Sequence, residues 1–232
     1  VRVRFATSFF WLRAAVCATV SPSVDVVTQP VALCEGFERP TFLHDVDLER
    51  YLAACPGTAT TRGTFFEHVR EHACQSLQRD PEGLYEGAPR RTWEPFSSYP
   101  LAEFMRLAHN AARLVYPDRP TSDGLRRIGQ LSFPSFAATT AGRVVLYALG
   151  DGMDDVLKVG PTAYRLTLPS AVVNVRQVSE RRYRYEMRSV HSFVDTFHYG
   201  VFEGVALALK HELHITLRRQ SRLCDADFEV AW

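Results

Sequence analysis

The sequence predicts one α+β domain, with N-terminal helices packed on a small antiparallel sheet of ββαββ order. Three observations carry this. From Val172 onward the period of the apolar residues changes from a helical one to two, as half-buried strands require. The last sixty residues then read strand, strand, helix, strand, strand: Val172–Ser179, Arg182–Arg188, a helix from about Phe193 to Leu209, His214–Arg218 and Ala226–Trp232. No repeat, low-complexity run or linker divides these strands from the helices before them, so both belong to one body.

Composition narrows the class. Hydrophobic residues at 46% and charged ones at 23% are globular values for a chain of 232 residues, long enough for a sizeable core. A net charge of +1 argues against non-specific binding to nucleic acid or to a membrane surface. Five cysteines, odd in number and without a C-x-x-C, fit neither a disulfide framework nor a zinc ribbon, and point to a reducing, cytoplasmic setting. The chain begins on Val and reaches its first Met at Met105. Residues 1–40, broken by Pro22, Pro30 and Pro40, are read as an irregular leader and a candidate non-native extension, with 41–232 as the domain. Phe5–Val20 has the look of a signal peptide, but Arg13 interrupts its apolar run.

The helices follow in order. Asp47 can cap a short helix to Cys55, closed by Pro56-Gly57. Thr60 or Thr61 is expected to cap Arg62–Leu77, with Phe65, Val69, Ala73 and Leu77 as its buried stripe. Arg79–Pro95 reads as a long surface loop. Pro100 opens a strongly apolar-faced helix to Val115. Ser122 caps one through Leu131, and Phe133-Pro134 separates it from another over Ser135–Leu149. Asp154–Val159 is a short helix that Gly160-Pro161 should stop. In the strands Tyr183, Tyr185 and Met187 form one buried face. Ala226, Phe228, Val230 and Trp232 form another, with Asp225, Asp227 and Glu229 on the wet side opposite neighbouring arginines.

Several short motifs recur in a telling order: Thr61-Arg-Gly-Thr-Phe-Phe66, Tyr99-Pro100, Tyr116-Pro117, Ile128-Gly-Gln-Leu131, Thr139-Thr-Ala-Gly-Arg143 and Tyr199-Gly-Val-Phe-Glu-Gly204. Over about Leu48–Trp232 the chain resembles a paralogous family of about two hundred residues known chiefly from myxobacteria, a domain of unknown function. That family is similar to a fold group of haem nitric-oxide/oxygen-binding domains, four-vinyl-reductase ligand-binding domains and TRAPP tethering subunits. The resemblance implies a haem-NO-binding/TRAPP-like frame. It implies a small apolar ligand between helices and sheet, or a partner protein, including a homodimer. It also implies a Gly-x-x-x-Gly helix, here Gly200–Gly204. Haem members carry a proximal His before the sheet and a Tyr-x-Ser-x-Arg motif; the matching positions here hold Arg188, Val190 and Ser192, and the preceding helix offers Ala163 and Tyr164. The departure implies no haem, and the expectation is a frame without a cofactor.

One motif competes. His68-Val-Arg-Glu71-His72 places two imidazoles one helical turn apart, where they could hold Zn²⁺ while Glu71 activates a water, with Glu103 a conceivable third ligand. A zinc hydrolase is therefore the alternative function, set against the ordinary reading of two histidines flanking a core stripe. His191, His198 and His109 are read as solvated or hydrogen-bonded, and Cys224 as a structural thiol. No Gly-x-Ser-x-Gly or phosphate loop is present. The preferred reading is a non-catalytic ligand-sensing or protein-interaction module. Its ligand-binding residues are Phe104, Tyr147, Tyr164 and Phe197, drawn from the aromatic layer between helices and sheet.

Overall fold

Alternation along Arg182–Arg188 sets the sheet. In the computed structural model, which describes residues 35–138, Arg143 and residues 152–232, Tyr183, Tyr185 and Met187 are buried on one face as expected. Four strands, β3 (Val172–Ser179), β4 (Arg182–Arg188), β5 (His214–Arg219) and β6 (Ala226–Ala231), pair antiparallel in the order β3-β4-β6-β5. β6 is thus central. Register places Arg184 opposite Glu229 and Arg218 opposite Asp227.

Centrality changes the environment of the acidic face. Asp227 is 1% exposed and Glu229 5%, not wet as the alternation predicts. Both are paired: Arg188 and Arg218 lie 2.7 and 2.5 Å from the Asp227 carboxylate, and the Arg184 Nε bonds Glu229 at 3.0 Å. Burial alone would raise the Asp227 carboxyl, but the bonds from Arg218 and Arg188 hold it below its ordinary value. Phe37 closes this face, with the guanidiniums of Arg184 and Arg218 at 5.0 and 5.1 Å from its ring centre. Beside it, Glu38 and Leu217 exchange backbone hydrogen bonds along the outer edge of β5.

The helical layer comprises α1 (Leu48–Ala54), α2 (Gly63–Leu77), α3 (Leu101–Val115) and α4 (Thr121–Ala138), with α5 (Met153–Thr167) before the sheet and α6 (Phe197–Leu209) inside it. Asp47 caps α1 by accepting from the Arg50 amide. Thr60 and Thr61 are not caps. They form β1 (Thr60–Arg62), which pairs with β2 (Ser98–Pro100), and this places Phe66 rather than Phe65 in the core of α2. The expected surface loop before β2 carries a 3-10 turn over Glu82–Tyr85 and inserts Trp93 into the core, stacked on Phe66 at 5.0 Å.

Two prolines fail to end their helices. Pro134 lies within α4 and Pro161 within α5, each removing the amide that would bond the carbonyl four residues earlier. At α5 the lost bond is replaced: the Tyr185 hydroxyl, arriving from β4, donates to the Leu157 carbonyl that Pro161 leaves open. Gly160 makes room, since a Cβ there would sit 3.0 Å from that hydroxyl. At α4 the carbonyl involved is Gln130, and the backbone of Gly204 packs directly against it. The helix expected over Ser135–Leu149 mostly falls outside the described residues.

α4 and α6 meet without side chains between them. A Cβ on Gly200 would stand 1.9 Å from the Arg126 carbonyl oxygen, one on Gly204 2.1 Å from that of Gln130, and one on Gly129 1.9 Å from that of Phe197. The Gly200–Gly204 spacing thus meets a reciprocal glycine on α4, which holds the backbones at contact distance. α6 starts at Phe197, not Phe193, because a buried turn over residues 191–196 precedes it. Gly200→Ala is expected to lower stability by ~1–3 kcal/mol or more. Gly57→Ala, whose Cβ would meet nothing within 4 Å, should change it little. Urea unfolding of both variants checks this contrast.

Candidate functional site

Where α4 and α6 press together at one end, they splay from α2 and α5 at the other, and an apolar cleft of about 90 Å³ opens among them. Phe65, Phe104, Phe133, Phe136, Phe197 and Val201 supply most of its wall. Phe104 meets Phe197 edge-on at 5.6 Å and Phe65 at 6.5 Å, so the aromatic lining is mutually braced. A second cavity of about 80 Å³ lies deeper, against Leu157, Tyr185 and Phe202. It shares Phe133, Phe136, Ala163, Tyr164 and Val201 with the first, so these residues form the partition.

Three polar side chains, the half-buried Tyr164 and the buried His198 and Ser192, reach the cleft in series. The Tyr164 hydroxyl lies 2.8 Å from His198 Nδ1, and His198 Nε2 lies 2.8 Å from Ser192 Oγ. One consistent assignment has Tyr164 donating to Nδ1 and the Nε2 proton passing to Ser192. Burial pushes His198 down to about 3 and raises the Tyr164 phenol, so both groups are neutral near pH 7. Among the described residues no lysine, arginine or carboxylate lines either cavity. At the rim Thr61 donates to the Thr167 carbonyl at 3.1 Å and Arg62 to that of Leu166 at 2.9 Å, tying the end of α5 to β1.

Of the residues singled out from sequence, Phe104, Tyr164 and Phe197 line one cleft, and Tyr147 lies outside the described residues. Sequence reasoning left Ser192 and His198 out of the site. His198 sits one position after Phe197 on a helix that is apolar on nearly every side, and that all-round burial was the available signal.

The zinc motif does not assemble. His68 Nδ1 faces Ser135 Oγ at 2.6 Å, His72 Nε2 faces the Tyr116 hydroxyl at 3.0 Å, Glu71 is exposed, and Glu103 pairs with Arg91. Among the described residues no three His, Cys, Asp or Glu side chains are placed to hold a metal ion. No described helix is long and apolar enough to cross a membrane.

Residues 59–232 match the family model described as "Protein of unknown function (DUF2378)". The chain belongs to this family. No curated protein matches it. Among solved structures, the H-NOX domain of Shewanella oneidensis in its Fe(II)CO state is similar at a TM-score of 0.61 and 15% identity, over 73% of this chain and 97% of that one. An Fe(II) unliganded H-NOX mutant from K. algicida is similar at 0.56 and 12%, over 73% and 95%. A third, described as "Modulating Heme Redox Potential Through Protein-Induced Porphyrin Distortion", is similar at 0.52 and 13%, over 73% and 97%. At these identities the likeness establishes the fold. It also corrects one expectation: a frame without a cofactor, with zinc as the alternative, is overturned by neighbours that carry Fe(II), one of them described through its haem.

The buried histidines give the fold a pH signature. His198 and His68, the latter brought to about 4 by burial and by His72, bind protons in the unfolded chain near 6.5 but not in the folded one. A depressed folded pKa contributes stability above 6.5 that is lost as pH falls towards 3. Urea unfolding from pH 8 to 5 should therefore show declining stability, and His198→Asn should flatten the slope by up to one proton, about 1.4 kcal/mol per pH unit.

Proposed function

We propose that this protein is a ligand-sensing domain that takes a small, uncharged, apolar ligand in the cleft between α2, α4, α5 and α6. The observation that carries this is an open, aromatic-lined cleft ending on a fully bonded Tyr164–His198–Ser192 series. Its about 90 Å³ suits a molecule of few heavy atoms, given that an engineered apolar cavity of ~150 Å³ binds benzene. Movement of the partition at Tyr164 and Phe136 would join it to the deeper space. Charged ligands are disfavoured, because the described lining residues offer no countercharge and His198 stays neutral. Binding that disturbs Tyr164 would pass through His198 to Ser192 and the turn before α6, which gives occupancy a route to the sheet. A cytoplasmic setting and a partner protein or second copy as the recipient of that signal complete the reading. They rest on the scattered cysteines and on the fold resemblance.

Haem is the second reading, because a structural neighbour is described through it and because His198 and Tyr164 are ligand types that haem iron accepts. The donors match in kind. The room does not: the cleft is far smaller than the roughly 300–1,000 Å³ of pockets for larger ligands. Both His198 nitrogens also already have partners. In the conformation described, the residues do not accommodate the group, and no step is routed through it.

Xenon titration followed by amide NMR tests the preferred reading. Saturable shifts at Phe104, Tyr164 and Phe197, abolished by the cleft-filling Val201→Trp, are expected. Absence of saturation in the parent protein would sink it. A haemin arm separates the second reading: a stoichiometric Soret band lost in His198→Leu or Tyr164→Phe would replace the small-ligand proposal with haem.

A further inference from the structure

A second concavity, of about 470 Å³, lies away from the cleft at the turn between α3 and α4. Its wall is polar and basic where the cleft is apolar and uncharged. Arg113, from the last turn of α3, and Arg119, from the turn itself, line it together with His109, Tyr116, Asp45 and Thr121. We propose that this is a binding site for a small oxyanion, the carboxylate or phosphate group of an organic acid or phosphate ester.

The pairing of the arginines around the turn supports the sign. Arg113 makes no hydrogen bond or ion pair with the described residues. Arg119 does have a carboxylate, Asp123 at 3.0 Å, but Asp123 also bonds Arg126 and Arg127, at 2.7 and 2.9 Å. Three guanidiniums thus share one carboxylate, and Glu203 relieves only Arg126. Arg113 thus faces the concavity without a carboxylate of its own, and Arg119 faces it while sharing Asp123 with two other arginines.

The carboxylate in the lining is engaged by the start of a helix. Asp45 Oδ1 accepts from the Thr121 amide at 3.0 Å and from its hydroxyl at 3.3 Å, so it serves as the cap at the start of α4. Val46 and His44 fasten the same segment by donating to Thr121 Oγ1 and Ser122 Oγ. One wall is therefore fixed, while Arg113 is exposed and able to close on a ligand, and Arg119 is exposed and held towards the turn by Asp123. His109 lies one helical turn before Arg113 on the same face of α3, within the lining. A planar guanidinium pair suits carboxylate and phosphate oxygens alike, through two parallel donors on each. The volume exceeds that of a bare inorganic ion and falls within the roughly 300–1,000 Å³ of metabolite pockets, which favours an anion carried on an organic body.

Amide NMR of the full chain, titrated separately with citrate and with inorganic phosphate at constant ionic strength, tests the site. Saturable shifts at Val46, His109, Arg113 and Thr121 are expected with at least one probe, and the tighter probe tells carboxylate from phosphate. Arg113→Gln, at an exposed position that leaves the Asp45 cap intact, should weaken that binding roughly tenfold. Arg119→Gln provides a second, independent loss. Shifts that never saturate, that sodium chloride reproduces, or that persist unchanged in both variants would overturn the proposal.

Discussion

The contact between α4 and α6 is the constraint on which the rest depends. Gly129, Gly200 and Gly204 place bare backbone against bare backbone, and even a methyl group at Gly200 or Gly204 would overlap a carbonyl of the other helix. Because the helices touch along this line, they are fixed in rotation as well as in distance. Of the three residues inside the glycine pair, Val201 lines both cavities, while Phe202 lines the deeper one and packs on Tyr185 at 4.9 Å and on Phe228 at 5.1 Å. The helix crossing therefore positions the cleft and anchors the sheet through adjacent side chains.

Prolines within helices serve the same plan. Each opens a carbonyl, and in each case a neighbouring element comes in at that carbonyl. At Leu157 it is the Tyr185 hydroxyl, which ties α5 to β4. At Gln130 it is the glycine backbone of α6. A residue that ends a helix in isolation is here a point where layers meet, through a hydrogen bond at Leu157 and through close backbone packing at Gln130.

Much of this was legible in the sequence. The four strands, the turn at residues 180–181 and the helix with two glycines could be read from a period of two and from spacing. The alternation in β4 needs no context, because one face is buried and the other is not. β6 was legible only in half. Its acids look like a solvated face until pairing order is known, and only the placement of β6 between β4 and β5 makes them internal, matched by arginines on either side. Thr61 and Pro161 failed for the same reason. A cap and a helix stop are local expectations, and each was overridden by a distant partner, β2 in one case and Tyr185 in the other. Of the cleft, the aromatics were visible as a class. The polar series was not, because it joins three separate segments, at Tyr164, Ser192 and His198, whose proximity no local pattern records.

Phe37 and Glu38 fall before residue 59, where the family match begins. Their place over β5 nevertheless makes them part of the body that match describes. A chain cut at residue 59 would keep every helix from α2 on and every strand, yet lose the ring held between two guanidiniums and the backbone pairing at Leu217. The flank of β5 would then offer unpaired amides and carbonyls to any passing strand, and the acid–base ladder beneath would meet water. Such a fragment would retain its topology while gaining a tendency to self-associate through that flank. The span that the family model matches and the span that covers the flank of β5 are, for this chain, different lengths.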